Sequence, residues 1–426
     1  MALLKSWLLW NNQTNSFLLV LVLKSRFRPA FLIGNYNIYP LFVVRNVMCS
    51  KDNLSDVLIA GGGLAGLSLG ILLAEKGHTV KVFEKSEYPR QKVCGEFLAE
   101  ESLPLLQHFG IDVKKENYPQ INKFRVTTDK NYQAECRLKQ YGTGISRLTL
   151  DHRLAQIAID RGVEIFTKVN VTKTGKEKGR YFLSTKNGRK HFGKILVDCR
   201  GRMAPQPKKS LSVNSYVGVK YHVKLDDFPA DLIEMHRFSN GYCGISRVDG
   251  DKYCLCYLTK ADALKPFKGD FDAFESKIPA QNKFLAERLA NATKTDPPVT
   301  TSNMEFGKRS TVIDGVLYAG DAGGFIPPVT GNGMSLAFRC GTFLSKKIDE
   351  FLRNEIPQSA LDKEYKEFHY TQIGGHINKG KFLQNLFMSD NKLLTSLLFS
   401  GFNYLPGMME NVANQAFGSK ETFPFP

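Results

Sequence analysis

Asp56-Val57-Leu58-Ile59-Ala60-Gly61-Gly62-Gly63-Leu64-Ala65-Gly66 is the stretch that decides the fold. Its first five residues form a short apolar run, as in a strand buried on both faces of a parallel sheet. The next six match G-x-G-x-x-G. Ala65, Leu69, Leu72 and Leu73 then recur at helical spacing until Gly77 stops the pattern. Thr79 to Glu84 alternates as a second strand and ends on a carboxylate, 18 residues after Gly66. Gly61 permits the tight turn, Gly63 lets the backbone approach a pyrophosphate, and Gly66 lets helix and strand pack closely. The helix start, with its free amides and dipole, favours the diphosphate anion. Glu84 falls where a carboxylate can accept the hydroxyls of an adenosine ribose. The full register predicts a dinucleotide-binding unit but does not separate FAD from NAD.

A second glycine-rich turn makes that separation. Gly315 to Ala319 is a strand running into Gly320-Asp321-Ala322-Gly323-Gly324 and then Pro327-Pro328. Thr330-Gly331-Asn332-Gly333-Met334 opens a helix whose apolar positions include Ala337, Leu344, Ile348 and Phe351. An aspartate at such a strand end can bond ribityl hydroxyls, which NAD does not possess. The helix starting near Gly333 aims amides at the edge of a flavin that becomes negative on reduction. The cofactor expected is FAD.

Four stretches carry a resemblance to the FAD enzymes grouped around geranylgeranyl reductases and p-hydroxybenzoate hydroxylase. They are the glycine loop with Glu84, Lys92-Val93-Cys94-Gly95-Glu96, Ser146-Arg147-Leu148-Thr149-Leu150-Asp151, and Gly320-Asp321 through Pro328, Gly331 and Gly333. The resemblance implies an α/β fold: a Rossmann-like FAD-binding domain with a parallel sheet, an inserted, mostly antiparallel substrate sheet, and C-terminal helices. It places FAD contacts at Gly61, Gly63, Ala65, Gly66, Glu84, Lys92, Cys94, Gly95, Arg147, Val171, Gly320, Asp321, Pro328, Gly331, Gly333 and Met334. From the residues alone, Arg147 could be a surface ion-pair arginine, and Cys94 is either a buried inert thiol or a catalytic one.

The pattern departs from the hydroxylase branch at Ile195-Leu196-Val197-Asp198-Cys199-Arg200-Gly201, where Arg200 replaces the family aspartate. That acid helps position flavin and NADPH in the family. No second G-x-G-x-x-G is present, so electrons come from transiently docked NAD(P)H or from a partner protein. The two tryptophans, Trp7 and Trp10, lie far from where halogenases carry theirs, which argues against halogenation.

The organisation expected is an extension over 1–47, an FAD-binding domain over 52–205 and 305–355, a substrate sheet over 206–304, and a helical region over 356–426. The extension lacks a signal-peptide cleavage site and a span-length apolar run. Met48, eight residues before the domain, is the expected true start. Within the substrate sheet, Tyr242, Cys243, Cys254, Cys256 and Tyr257 are candidate pocket walls or core residues. His222 and His236 sit in the same sheet.

The net charge is +17, with six basic residues before the first acid at Asp52. The eight cysteines lack a C-x-x-C pair, which points to a reducing, cytoplasmic setting without a metal site. No nucleic-acid motif is present. Phe382, Leu383, Leu386 and Phe387, then Leu393, Leu394, Leu397 and Leu398, recur at helical spacing among lysines. They are helices packed on the body or a peripheral membrane contact.

The chemistry expected is hydride transfer from reduced flavin to an apolar isoprenoid or polyene-like molecule. The alternatives are a monooxygenase acting on an aromatic or polyketide-type substrate, and a non-catalytic prenyl-binding protein.

Overall fold

Ser55–Ala60 is a central strand of an eight-stranded sheet, and Val57 to Ala60 are wholly buried in it. Burial on both faces is what the unbroken apolar run dictates. The computed structural model describes residues 6–11, 16–21, 54–206, 215–389, 399, 401–402 and 406–417. Met48 and the Leu393 to Leu398 run lie outside the described residues.

The chain divides into two units, Met1–Lys51 and Asp52–Pro426. In the first, Ser6–Asn11 and Ser16–Leu21 pair antiparallel. In the second, the eight-stranded sheet runs Val312–Ile313, Val316–Tyr318, Lys190–Asp198, Ser55–Ala60, Val80–Phe83, Glu164–Phe166. The last five of these pair in parallel. Val171–Glu177 and Arg180–Thr185 extend it as an antiparallel hairpin on Lys190–Asp198.

The helix Leu64–Glu75 follows the glycine loop, and ten of its twelve residues are buried. Gly341, in the helix Gly333–Leu352, lies so close to it that a Cβ there would stand 2.3 Å from Ser68 Oγ. The two glycine-rich motifs are thereby held side by side.

The second sheet has nine strands and is larger than the 206–304 segment assigned to it from sequence. Phe97–Ala99, Gln120–Thr127 and Gln133–Gly144 join it from the region expected to belong to the FAD-binding domain. The junction is a parallel pairing of Gln120–Thr127 with Leu232–Phe238, about a hundred residues apart in sequence. Periodicity is local and cannot reveal such a partner. The strands Tyr216–Lys224, Gly241–Val248 and Lys252–Lys260 form antiparallel pairs, the last two joined by a turn at Asp249-Gly250.

Alternation along this sheet separates two cores. Cys243, Leu255, Tyr257 and Phe274 pack on its outer face. Phe97, Phe124, Tyr242, Phe387 and Phe417 pack on the other, with the C-terminal helices. Arg237 ties those helices down, donating to Phe387 O at 2.9 Å and Ser389 O at 2.8 Å. Such charge-assisted bonds to helix-end carbonyls satisfy acceptors that the helix itself cannot.

Candidate functional site

Gly61 is the tightest point of the first loop. It has φ +104°, and a Cβ there would lie 2.4 Å from Cys199 O, so no other residue fits. Gly63 precedes the helix start, whose N-terminus has no side-chain cap, and faces the Lys92 ammonium. Ala65 and Gly66 sit in the first turn of that helix. Gly320 comes within 3.2 Å of the Ala65 side chain, measured from an ideal Cβ, so the two motifs meet there.

Glu84 is buried at the end of its strand. Its carboxylate accepts from Gly62 N at 2.8 Å and Ser86 N at 3.0 Å, and it pairs with Arg90. Arg90 also donates to Gly62 O at 2.7 Å, and Tyr88 OH donates to the same carbonyl at 2.5 Å. Neither Arg90 nor Tyr88 was singled out by sequence. The usable signal was their place within six residues of the acid at the strand end.

Arg147 opens the helix Arg147–Asp160 and grips Asp151 one turn on, through Nε at 2.7 Å and Nη2 at 2.9 Å. Asp151 is wholly buried. Lys92 lies 3.8 Å and Arg90 3.7 Å from the same carboxylate. The surrounding protein, with the Arg147 charge adding, pulls the Lys92 ammonium down to about 8. Cys94 lies in the same loop, and burial pushes its thiol above the usual range, so it stands as a neutral S–H. Gly95 has open space where a Cβ would be.

In the second motif Asp321 lies in a tight turn, Gly320–Ala322, with Arg309 donating to its backbone carbonyl at 3.4 Å. Burial raises its carboxyl, opposed by Arg147, Lys92, Arg309 and Arg202. Pro328–Thr330 is a further turn, and Gly331, at φ +64°, leads into the helix that begins at Gly333 and buries Met334. Gly320, Asp321, Gly324, Ile326 and Gly333 line a small cavity here with Cys340.

Val171 and Arg200 are directly bonded. Arg200 Nη1 donates to Val171 O at 2.7 Å, and its Nε lies 3.0 and 3.1 Å from the two oxygens of buried Asp198. The strand end therefore does carry a carboxylate, two residues early, and Arg200 neutralises it.

The pocket-wall candidates divide. Cys254 and Cys256 face the Lys92–Glu96 loop, Cys254 donating to Cys94 O at 3.3 Å. Tyr242 faces the aromatic core under the C-terminal helices, whereas Cys243 and Tyr257 point the other way. Among the described residues no cluster of histidine, cysteine and carboxylate side chains could hold a metal.

FAD fits the constellation. Lys92 and Arg147 meet at Asp151, and Lys92 also faces Gly63 at the uncapped helix start, so cationic groups and free amides stand together as a diphosphate requires. A family profile described as FAD binding domain matches residues 54–193, and one described as squalene epoxidase matches 259–415. The chain belongs to the FAD-dependent oxidoreductases.

The oxidoreductase is 23% identical over 374 residues to digeranylgeranylglycerophospholipid reductase of Methanocaldococcus jannaschii, covering 81% of this chain and 90% of that one. It is 22% identical over 382 residues to conditioned medium factor receptor 1 of Dictyostelium discoideum, covering 80% and 71%. Among solved structures, flavin-dependent brominase Bmp2 superposes with a TM-score of 0.70 at 18% identity, over 86% of this chain and 95% of that one. A probable FAD-dependent monooxygenase from Pseudomonas aeruginosa, PqsL, gives 0.64 at 17% over 82% and 100%. At these identities the two structures speak for the fold of the oxidoreductase.

Proposed function

We propose that this oxidoreductase reduces an activated double bond in an apolar, isoprenoid or polyene-like molecule. The observation that carries the reading is the aromatic core between the nine-stranded sheet and the C-terminal helices. Phe97, Phe124, Tyr242, Phe387 and Phe417 meet there beside Val329, one residue past Pro328. Apolar side chains bordering the Pro328 turn favour an apolar substrate over a hydrophilic one at that end of the site. The reductase relative from M. jannaschii, matched over 90% of its length, supports the same class.

Bound FAD supplies the hydride chemistry. The uncapped helix start, Lys92 and Arg147 would hold its diphosphate, Glu84 its adenosine ribose, and Asp321 its ribityl chain. Val171 and Arg200 flank the adenine end. Gly333 and Met334, at the start of their helix, would face the pyrimidine edge of the flavin, while Pro328 and Gly331 shape the turn that leads into that helix. Cys94, its thiol pushed up by burial, packs against this machinery.

Transient NAD(P)H or a separate electron-donor protein supplies the reducing equivalents. No helix among the described residues is long and apolar enough to cross a membrane. A peripheral membrane contact at a cytoplasmic face is supported by Tyr370 and Phe382, 71% and 67% exposed. Lys308 lies over the Tyr370 ring, and the exposed Lys379 and Lys381 neighbour Phe382.

A second reading, monooxygenation, is supported by the fold shared with PqsL. The deciding experiment is anaerobic bleaching of the yellow protein by NADPH, followed by addition of a geranylgeranyl lipid. Reoxidation without oxygen and with a saturated product is the expected result. Product that forms only with oxygen consumption would replace this reading by the second.

A further inference from the structure

Behind the Lys92–Glu96 loop lies a cluster of charges that the cofactor contacts do not use. Glu96 and Lys220 are both wholly buried, with Lys220 Nζ 2.8 Å from Glu96 Oε1. The other carboxylate oxygen lies 2.7 Å from His222 Nε2, and His222 Nδ1 is 3.0 Å from Asp296. Asp296 is 27% exposed, so an unbroken series of hydrogen bonds leads from solvent to Glu96. Gln91 braces it, 2.5 Å from Lys220 Nζ and 3.2 Å from His222 Nδ1.

The inner end of that series touches the cofactor machinery. Glu96 Oε1 also accepts from Arg147 N at 2.8 Å, and Glu96 N donates to Cys94 Sγ at 3.4 Å. Glu96 adopts φ +55°, a strained conformation for a non-glycine residue, of the kind that persists where surrounding structure demands it. A purely structural clamp has no need of a route to water. Around His222 the other titratable or charged groups are Lys220 on its own strand, Cys254 opposite it, and Lys252, 3.8 Å from Asp296.

We propose that Asp296, His222 and Glu96 form a proton path that charges when the bound flavin is reduced and discharges when it is reoxidised. The proposal rests on FAD occupying this site and not on the identity of the substrate. A hydride donor such as NADPH delivers two electrons and one proton, leaving the site one unit more negative. A proton from water enters at Asp296, which passes one to His222 Nδ1, while His222 Nε2 gives its proton to Glu96 Oε2. Neutral Glu96 leaves the Lys220 ammonium uncompensated behind the Lys92–Glu96 loop, where its charge opposes the new negative one. In a site of low dielectric that field matters far more than it would in water. Oxidation returns the proton by the same route. Asp296, His222 and Glu96 are positioning residues in this scheme, since none touches the reacting atoms.

The test uses the full FAD-loaded chain. Midpoint potential against pH gives the protons bound per flavin, and a pH dye reports proton uptake after a light pulse that photoreduces the flavin. Glu96→Gln is expected to bind one proton fewer per flavin than the wild type. Asp296→Asn, at a partly exposed side chain, is expected to take up that proton at least tenfold more slowly while binding FAD normally. If Glu96→Gln does not fold, the Asp296→Asn rate decides alone. Wild-type slope and rate in the variants, with FAD bound, would overturn the proton path. A wild-type chain that binds no FAD would overturn the cofactor reading beneath it.

Discussion

Arg147 and Asp151 form a two-pronged pair, 2.7 and 2.9 Å, around which the cofactor end of the molecule is organised. The pair sits on one helical turn, so sequence spacing alone brings the groups together. Burial opposes ionisation of Asp151, yet Arg147 and then Lys92 outweigh it and hold the carboxyl below its ordinary 3.8. Its stabilisation is therefore complete above about pH 4 and disappears as pH falls through the lower folded value. Asp151→Ala leaves Arg147 buried without its partner. We expect a loss of about 3–5 kcal/mol of stability, read from urea unfolding, with weaker FAD binding.

Lys92 makes FAD affinity depend on alkaline pH. With the free ammonium titrating at about 8, the diphosphate loses a charged partner as pH rises through that value. Flavin-fluorescence titrations should show the dissociation constant rising between about pH 7.5 and 9. Lys92→Arg, charged throughout, should flatten the curve. A wild-type constant that does not change over this interval would remove Lys92 from the diphosphate site.

Gly331 answers to two demands at once. Its φ is +64°, and a Cβ would meet the Phe417 ring at 3.0 Å. Gly331→Ala should cost about 1–3 kcal/mol and loosen the turn into the Gly333 helix. Thermal unfolding with and without FAD separates the two effects, since loss of the ligand-induced shift reports the turn.

His369 sets an acid limit. Burial, with Lys308 adding, pulls its imidazole down to about 4 from an ordinary 6.5. The unfolded chain binds the proton first, so this contribution is complete above pH 6.5 and declines as pH falls to about 4. Over that window about 3 kcal/mol should be lost. His369→Phe should shed that part of the acid sensitivity, as measured by denaturant midpoints at several pH values.

Tyr370→Ser with Phe382→Ser should weaken sedimentation with vesicles of mixed phosphatidylserine and phosphatidylcholine several-fold, without altering FAD content. Apolar side chains and basic charge both contribute to such binding. Unchanged sedimentation would remove this face from any membrane role.

Both glycine motifs were legible because every part of each lies within a few dozen residues. A strand, a turn needing positive φ and a helix start must follow one another in the chain, and residue type shows directly that they do. Arg90 and Tyr88 escaped notice because arginine and tyrosine after a strand commonly face solvent. Only the folded loop turns both onto Gly62.

Sequence by itself determined the FAD-binding frame: the buried parallel strand, the two glycine loops, and Glu84 and Asp321 at strand ends. These follow from steric limits and from spacing along one chain segment. Tertiary structure alone decided which face of the second sheet looks inward, setting Tyr242 towards the aromatic core and Cys243 away from it. Alternation says that neighbours point apart, but the direction depends on the register with strands elsewhere in the chain. It likewise decided that Glu96 meets Lys220 and His222, 124 and 126 residues away. Charge pairing across such distances is set by how the sheets dock, which local propensity does not encode.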